Sequence, residues 1–554
     1  MVYMFRNSSG KLGESCRPKL LFPNTVHSLF VVAMDFMSKT PVMARQSTSS
    51  HLGWKGVTMP THEQAAVVHD RPVPAPRLAA GPPGTAGGPE PRTPPVSQAE
   101  RDALHLWRRM ALAATTEATP QPRRVPVPTE LHGALRLFEE AVEGSLNGGP
   151  SVPSAGALHP YEHVVVAGGA GGPSVFAVDV ARRTCRLTYS GEQVTRALDD
   201  SGLPLPGPHA FLVLTVVRPW LSMRKYGDRG YLYAQLDAAH LGAHLLCLGS
   251  RSHRRAEWLT RAASEPLAAL LGLADNCRFL HSVLLLDDVV ESCPEPSRSW
   301  TCTDARNTEA GVPPLAFLEG QSWRTVAPYR QAAPARTTLA RRAPLLPAAP
   351  DAEGLLRDGA LSRLLARRRS TKDFAPADLP GGALRKALSA LATPLTTDMA
   401  EADGFGATLV ALQVAGVDPG AYPLRGGRIA AEPAVRAVAD RDSIVRICMG
   451  QEHLRHTAAA VVLHARRHRM FPRGMAGVDQ ALLRAGALAH LLCLGATGAG
   501  IAVTTIGGFD SRRWHALASL PEEDEVLYVA MLGTGGTAPV KLDRLQRTYA
   551  HDER

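Results

Sequence analysis

One six-residue string occurs twice in this chain of 554 residues. His-Leu-Leu-Cys-Leu-Gly fills residues 244–249 and again residues 490–495, 246 positions further on. Each copy lies in a stretch with apolar residues at helical spacing, over 231–248 and 478–494, which predicts a buried helix in each. The same offset, applied without gaps, lays the strand expected to end at Val217 on the strand expected to end at Leu463. It also lays the helix beginning near Tyr231 on the one beginning near Gly477. Chance rarely places six identical residues at one point of two such helices. The sequence therefore predicts a duplicated unit, and two fused copies of one fold imply a pseudo-symmetric pair inside a single chain.

The rest of the chain divides around these copies. Residues 1–100 are expected to be disordered, or a misassigned extension. The stretch 71–95 is dense in Pro, Gly and Ala. The first 60 residues hold four of the eight lysines and six of the thirteen methionines, and a start at Met43 or Met59 would account for that bias. Residues 101–290 form the first expected domain, with helices over 103–113 and 130–143 and strands over 162–166, 210–217 and 281–286. Residues 291–350, rich in Pro, Ala, Ser and Arg, are expected as a linker with a short ordered piece at 315–323. Residues 351–554 form the second domain, with helices over 355–367 and 383–391 and strands over 408–415, 459–464 and 526–532.

Composition narrows the class. Hydrophobic residues make up 45% and charged residues 20%, ordinary values for a globular chain. No run of about 18 apolar residues stands out, so no membrane span is expected. The net charge of +10 comes almost wholly from arginine. No basic run with interleaved aromatics accompanies it, so nucleic acid is not an expected partner. None of the eight cysteines forms a CxxC pair. Cys247 and Cys493 read as small core residues. Cys293 and Cys302 lie in a loop-like stretch where they could pair or bind metal, but no second ligand pair joins them and no metal site is expected. A reducing, cytoplasmic setting fits this cysteine usage.

Four strings carry chemistry. Arg368-Arg369-Ser370-Thr371-Lys372-Asp373-Phe374 follows a helix and sets three cations and two hydroxyls close together. That combination neutralises and hydrogen-bonds a phosphate. In Pro153-Ser154-Ala155-Gly156-Ala157-Leu158-His159-Pro160, small residues let backbone approach a flat ring, and Ser154 can hydrogen-bond the ring's edge. Arg224-Lys225-Tyr226-Gly227-Asp228-Arg229-Gly230-Tyr231 places an amine next to a phenol, and neighbouring charge and burial can bring either into range to take a proton near neutral pH. Two of the four lysines beyond residue 55, Lys225 and Lys372, fall in these strings. Thr504-Thr505-Ile506-Gly507-Gly508-Phe509-Asp510 follows the second repeated helix, and its glycine pair allows close backbone contact with a ligand.

These strings resemble the nitroreductase superfamily, and within it the SagB-type and McbC-type azoline dehydrogenases of ribosomal peptide biosynthesis. The Arg-x-Ser-x-Lys-x-Phe order is similar to the FMN-binding motif near the start of such domains. The Pro153 string resembles their Pro-Ser-Ala-Gly-Ala-Leu-Tyr-Pro segment, with His159 where they usually carry Tyr. The Lys225-Tyr226 pair looks like their Lys-Tyr motif, and the Gly507-Gly508 pair like the segment beside FMN. The resemblance covers most of 130–290 and 355–535. It implies an α+β fold, two tandem nitroreductase-like domains forming an intramolecular pseudo-dimer. It implies an FMN held by Arg368, Ser370 and Lys372, by Pro153, Ser154, Ala155 and Gly156, and by Gly507 and Gly508, with Lys225 and Tyr226 catalytic.

The offset divides these roles between the copies. Lys225 and Tyr226 fall on Phe471 and Pro472, the Pro153 string falls on 399–406, and Ser370 falls on Arg124. Each half lacks what the other keeps, so one composite site is expected and its symmetry mate is lost. The reaction implied is FMN-dependent oxidation of thiazoline or oxazoline rings, with reoxidation by oxygen. The implied partners are a peptide substrate with its leader and a cyclodehydratase. Two other readings stand beside it: an NAD(P)H-dependent nitro- or ene-reductase, and a non-catalytic scaffold in a peptide-modifying complex.

Overall fold

The computed structural model describes residues 123–143, 151–262, 264–273, 278–289, 295–306, 340–346, 361–399, 403–436 and 441–535. The chain divides into the units Met1–Pro94 and Pro95–Arg554, and the described residues all lie in the second. The expectations for residues 1–100, the helix over 103–113 and the ordered piece at 315–323 lie outside them.

In chain order the first half contains β1 (Arg123–Val125), α1 (His132–Glu143), β2 (Tyr161–Gly169), β3 (Gly172–Asp179), β4 (Thr184–Ser190) and α2 (Glu192–Asp200). Next come β5 (Phe211–Val217), α3 (Pro219–Tyr226), α4 (Arg229–Ser252), β6 (His253–Leu259), α5 (Ser264–Leu270) and β7 (Phe279–Val289). Then follow β8 (Thr301–Asp304), β9 (Arg341–Pro344), α6 (Leu361–Arg367), β10 (Leu379–Pro380), α7 (Gly381–Ser389), β11 (Pro394–Thr397), β12 (Phe405–Ala411) and β13 (Val414–Ala415). The last part holds β14 (Gly420–Arg425), β15 (Arg428–Ile429), α8 (Arg441–Ile447), β16 (Ala459–Arg466), α9 (Arg467–Met470), α10 (Gly474–Ala499), β17 (Ala502–Ile506), α11 (Ser511–Leu517) and β18 (Asp524–Gly533).

Six strands of the first half lie in the order β4-β3-β2-β5-β7-β6, and six of the second in the order β15-β14-β12-β16-β18-β17. The two orders match strand for strand, and neighbours within each run antiparallel. Strands β5 and β16 sit centrally because their sequences are near-continuous apolar runs, which bury both faces. The first sheet grows to ten strands. Strand β8 pairs parallel to β4, with β1 beyond it, and β11 pairs parallel to β6, with β9 beyond it.

This corrects the linker reading of 291–350, since β8 and β9 come from that stretch. Arg341 and Arg342 are exposed on the edge strand β9, where one free side needs no apolar alternation, so nothing in the local pattern announces a strand. Cys302, expected in a loop, is buried on β8 opposite Cys185 of β4.

Helices α4 and α10 pack on each other between the sheets, and one apolar core runs through both halves. By length and composition the segment Arg467–Ala499 is apolar enough to cross a bilayer, but 89% of its most apolar window is buried inside the protein. Its role here is that of a core helix.

One detail of the repeat changes. Gly227, which follows α3, has φ 59° and ψ −147°; Gly474, the first residue of α10, has φ 59° and ψ −149°. These matching corners lie 247 residues apart, one more than the repeated strings. The gapless offset therefore fails here, and Lys225 and Tyr226 stand opposite Pro472 and Arg473. The second half still lacks the pair.

The helix crossing buries imidazoles. His244 and His490 share a hydrogen bond of 3.2 Å, and His240 shares one of 3.3 Å with Tyr528. Burial, with Arg368 nearby, pushes His240 and His244 down to about 3 and His490 well below its usual value. Burial also takes His163 and His281 to about 4, and raises the carboxyls of Asp237 and Asp479 to about 7. The two sets oppose each other between about pH 4 and 6.5. Unfolding lets the histidines gain protons that the fold denies them, whereas the fold keeps protons on carboxyls that the unfolded chain has lost. Histidines are the larger set, so the unfolded state binds more protons and stability falls with pH. Each net proton is worth about 1.4 kcal/mol per pH unit. The urea midpoint should be highest near pH 7 and drop steadily toward pH 4; a midpoint flat over that span would contradict the buried-histidine account.

Candidate active site at the junction of the two halves

The turn before β2 has an unusual backbone. Gly156, Ala157 and His159 have φ of 65°, 57° and 45°, a region that non-glycine residues enter only when surroundings hold them there. Asp237, in the third turn of α4 and 2% exposed, supplies one hold. Its Oδ2 accepts the Ser154 hydroxyl at 2.6 Å and the Ala155 N–H at 3.0 Å. The His159 N–H donates to Ser154 Oγ at 2.8 Å. The Ser154 proton is thus engaged inside the protein, and the expected hydrogen bond from it to a ring edge is not available in this arrangement.

Gly156 faces the Lys225–Tyr226 pair at the end of α3. A Cβ on Gly156 would overlap Tyr226 Oη and stand 2.9 Å from Lys225 Nζ. Lys225 is exposed and Tyr226 half-buried, with the ammonium 5.3 Å from the phenol ring centre. Tyr226 meets Tyr233 edge-on at 5.0 Å. Tyr233 in turn packs on Gly507 so closely that any side chain there would strike its ring. Arg229 Nε donates to the Gly507 carbonyl at 2.6 Å, and its guanidinium stacks over Phe509 at 4.8 Å. On the far side Gln451 Nε2 donates to the Gly508 carbonyl at 3.1 Å.

Arg368 closes the group from the second half. It is 4% exposed, donates through Nε to the Ser151 carbonyl, and reaches Ser370 Oγ at 3.2 Å through Nη1. Burial and the neighbouring Arg369 hold its pKa below the usual guanidinium value. Among the described residues no carboxylate forms an ion pair with it. Arg369 Nη2 is also buried without a hydrogen-bond partner. Two desolvated guanidiniums lacking an anion, beside the Ser370 hydroxyl, fit the phosphate of a mononucleotide. Lys372 lies half-buried four residues on from Arg368. The structure thus brings the Pro153, Lys225, Gly507 and Arg368 strings into one run of contacts. Pro153 is buried just ahead of that turn.

The symmetry-related region is built differently. Arg484 lies ten residues beyond Gly474, as Asp237 lies ten beyond Gly227. It is buried, donates to the Leu345 carbonyl at 2.8 Å, and its guanidinium lies 5.8 Å from the Phe405 ring. Thr260 and Arg261, at the end of β6, occupy the place that Gly507 and Gly508 hold after β17. Their N–H groups are taken by the Asp398 carboxylate at 2.7 and 3.0 Å. A cavity of about 70 Å³ is lined by Phe405, Gln480 and Arg484.

Sequence reading missed Asp237, Tyr233 and Gln451. Asp237 sits in a helix of otherwise apolar pattern, and a lone charged residue in such a helix was the available signal. Tyr233 and Gln451 are unremarkable in their local strings.

The sequence profile of the nitroreductase family matches residues 365–534. No curated protein matches the chain. Among solved structures, one described as a nitroreductase from Anabaena variabilis aligns with TM-score 0.53 and 19% identity, over 74% of this chain and 90% of that one. It shows the nitroreductase-like α+β fold. The E. coli microcin synthetase McbBCD complex with truncated pro-MccB17 bound aligns with TM-score 0.26 and 16% identity, over 31% and 70%. A protein of Ralstonia eutropha described as a nitroreductase aligns with TM-score 0.24 and 18% identity, over 37% and 98%.

Gly156 is both tightly packed and at positive φ. Gly156→Ala combines a left-handed φ with overlap on Tyr226, and should lower stability by about 1–2 kcal/mol. Urea denaturation of the variant against Gly171→Ala, where a Cβ meets nothing within 4 Å, checks this. Equal midpoints for the two would remove the constraint.

Proposed function

We propose that this chain is an FMN-dependent dehydrogenase that oxidises thiazoline and oxazoline rings to thiazoles and oxazoles in a ribosomally made peptide. It works from one composite site of an intramolecular pseudo-dimer built from two tandem copies of the fold. The observation that carries the reading is the convergence just described. Strings from both halves, more than 200 residues apart, meet in one run of contacts that includes the Lys225–Tyr226 pair. The matching strand orders and the repeated string support tandem copies.

Arg368, Ser370 and Lys372 hold the phosphate end of the cofactor. Pro153, Ser154, Ala155 and Gly156 from the first half, and Gly507 and Gly508 from the second, flank its ring. FMN, when bound, supplies the acceptor for two electrons. Aromatising an azoline removes a proton from the ring Cα and a hydride from the neighbouring ring carbon. Lys225 Nζ or Tyr226 Oη takes that proton. The pair favours this reading because ring oxidation cannot begin without a base at the ring Cα. The substrate is a peptide presented with its leader, and a cyclodehydratase that forms the azolines is the matching partner.

Two measurements test this. Released flavin should amount to about one FMN per chain, because Asp398 and Arg484 fill the second position; two per chain would refute the single composite site. Lys225→Ala and Tyr226→Phe should each lose at least about 100-fold in azole formation, followed by the loss of two mass units per ring, with flavin retained. Undiminished turnover in both would remove their role. Rapid NADPH oxidation with nitroaromatics, and no azole product, would favour the reductase.

A further inference from the structure

We infer that Asp237 is a positioning residue: from α4 it holds the turn of residues 153–160 against the Lys225–Tyr226 pair, and so sets where that pair can act. The inference rests on the reading of Lys225 and Tyr226 as the proton-transfer pair.

Three residues of the turn lie at positive φ, and two of these are not glycine. A backbone of this kind relaxes unless its polar groups are tied. Within the turn, Ala157 N–H donates to the Ser154 carbonyl at 3.1 Å, and His159 and Tyr161 share a hydrogen bond of 3.0 Å. The tie to the rest of the protein is Asp237. One carboxylate takes both the Ser154 hydroxyl and the Ala155 N–H. The next residue along is Gly156, whose α-carbon lies against Tyr226 Oη and Lys225 Nζ. Asp237 is thus one hydrogen bond and one residue from the surface on which the pair rests.

Asp237 is not there as a counter-ion. Among the described residues it forms no salt bridge, and Arg368, the buried cation of the site, has its bonds to Ser151 and Ser370. The charged and titratable groups around it are Tyr161 of β2, Tyr233 of α4, Tyr528 of β18 and, beyond Tyr161, Arg368. A buried carboxylate surrounded by phenols, with both oxygens on one turn, suits a role in shaping that turn. The other half agrees. There Arg484 takes the corresponding helix position, donates to a carbonyl instead, and the Lys-Tyr pair is absent.

The variant that tests this is Asp237→Asn, which keeps the size of the group but removes the charge that draws both donors to Oδ2 and sets an N–H₂ in place of Oδ1, donor against donor, 3.2 Å from the Ala155 nitrogen. Asp237→Asn should keep its flavin and lose at least tenfold in kcat for azole formation, with KM within threefold. Adding Ser154→Ala to it should cost little more, because both act through one bond. Amide exchange in the peptide covering residues 151–160 should speed up at least tenfold in Asp237→Asn, with α10 unchanged. Wild-type exchange over 151–160 in the variant would overturn the inference, whatever reaction is catalysed. So would a rise in KM at unchanged kcat, which would place Asp237 in binding. Faster exchange in a protein whose wild type makes no azole would leave the positioning role standing and refute the proposed reaction instead.

Discussion

Gly486 of α10 lies against α4 so closely that a Cβ there would stand 2.6 Å from that of Ala239 and 2.8 Å from the Leu236 carbonyl. This contact between two long helices is what the remaining architecture depends on. It brings the inner faces of both sheets into one apolar core. It also sets the start of α4 beside the loop after β17, so that Tyr233 meets Gly507 and Arg229 reaches its carbonyl. Strand β11 of the second half then completes the first half's sheet beside β6. Neither half is finished without the other.

Polar groups are buried at this junction at a real energetic cost. Arg368, Asp237 and three imidazoles are each less than 5% exposed. A buried group without a full set of partners destabilises the fold by a few kcal/mol. An apolar filling would pack as well, and the symmetry-related region shows what a closed alternative looks like: Asp398 caps two backbone N–H groups and Arg484 caps a carbonyl. Where the cationic and glycine-rich strings meet, Arg368 has no carboxylate partner among the described residues and Arg369 Nη2 has no hydrogen-bond partner.

Much of this was legible in the chain. The helices over 231–248 and 478–494 and the central strands followed from apolar periodicity, because burial acts on each residue's side chain where it stands. The four strings announced themselves because ligand chemistry needs particular side chains at short spacing. Strands β8 and β9 were not legible: β9, at the rim of the sheet, needs little apolar content, and β8 is only four residues long. The one-residue slip between the Gly227 and Gly474 corners was hidden because the repeated strings further along the helices restore the shorter offset.

The sequence by itself determined that one string recurs 246 residues further on, and that cationic, hydroxyl-bearing and glycine-rich residues cluster in four short strings. These are properties of composition and local order. Only the tertiary structure decided that the strings meet, that the Ser154 hydroxyl is committed to Asp237, and that Asp398 accepts from the Thr260 and Arg261 N–H groups. Those outcomes depend on how two helices cross and on which donors face which acceptors once water is excluded. Groups 80 to 280 residues apart in the chain become neighbours through packing, and no local pattern encodes that meeting.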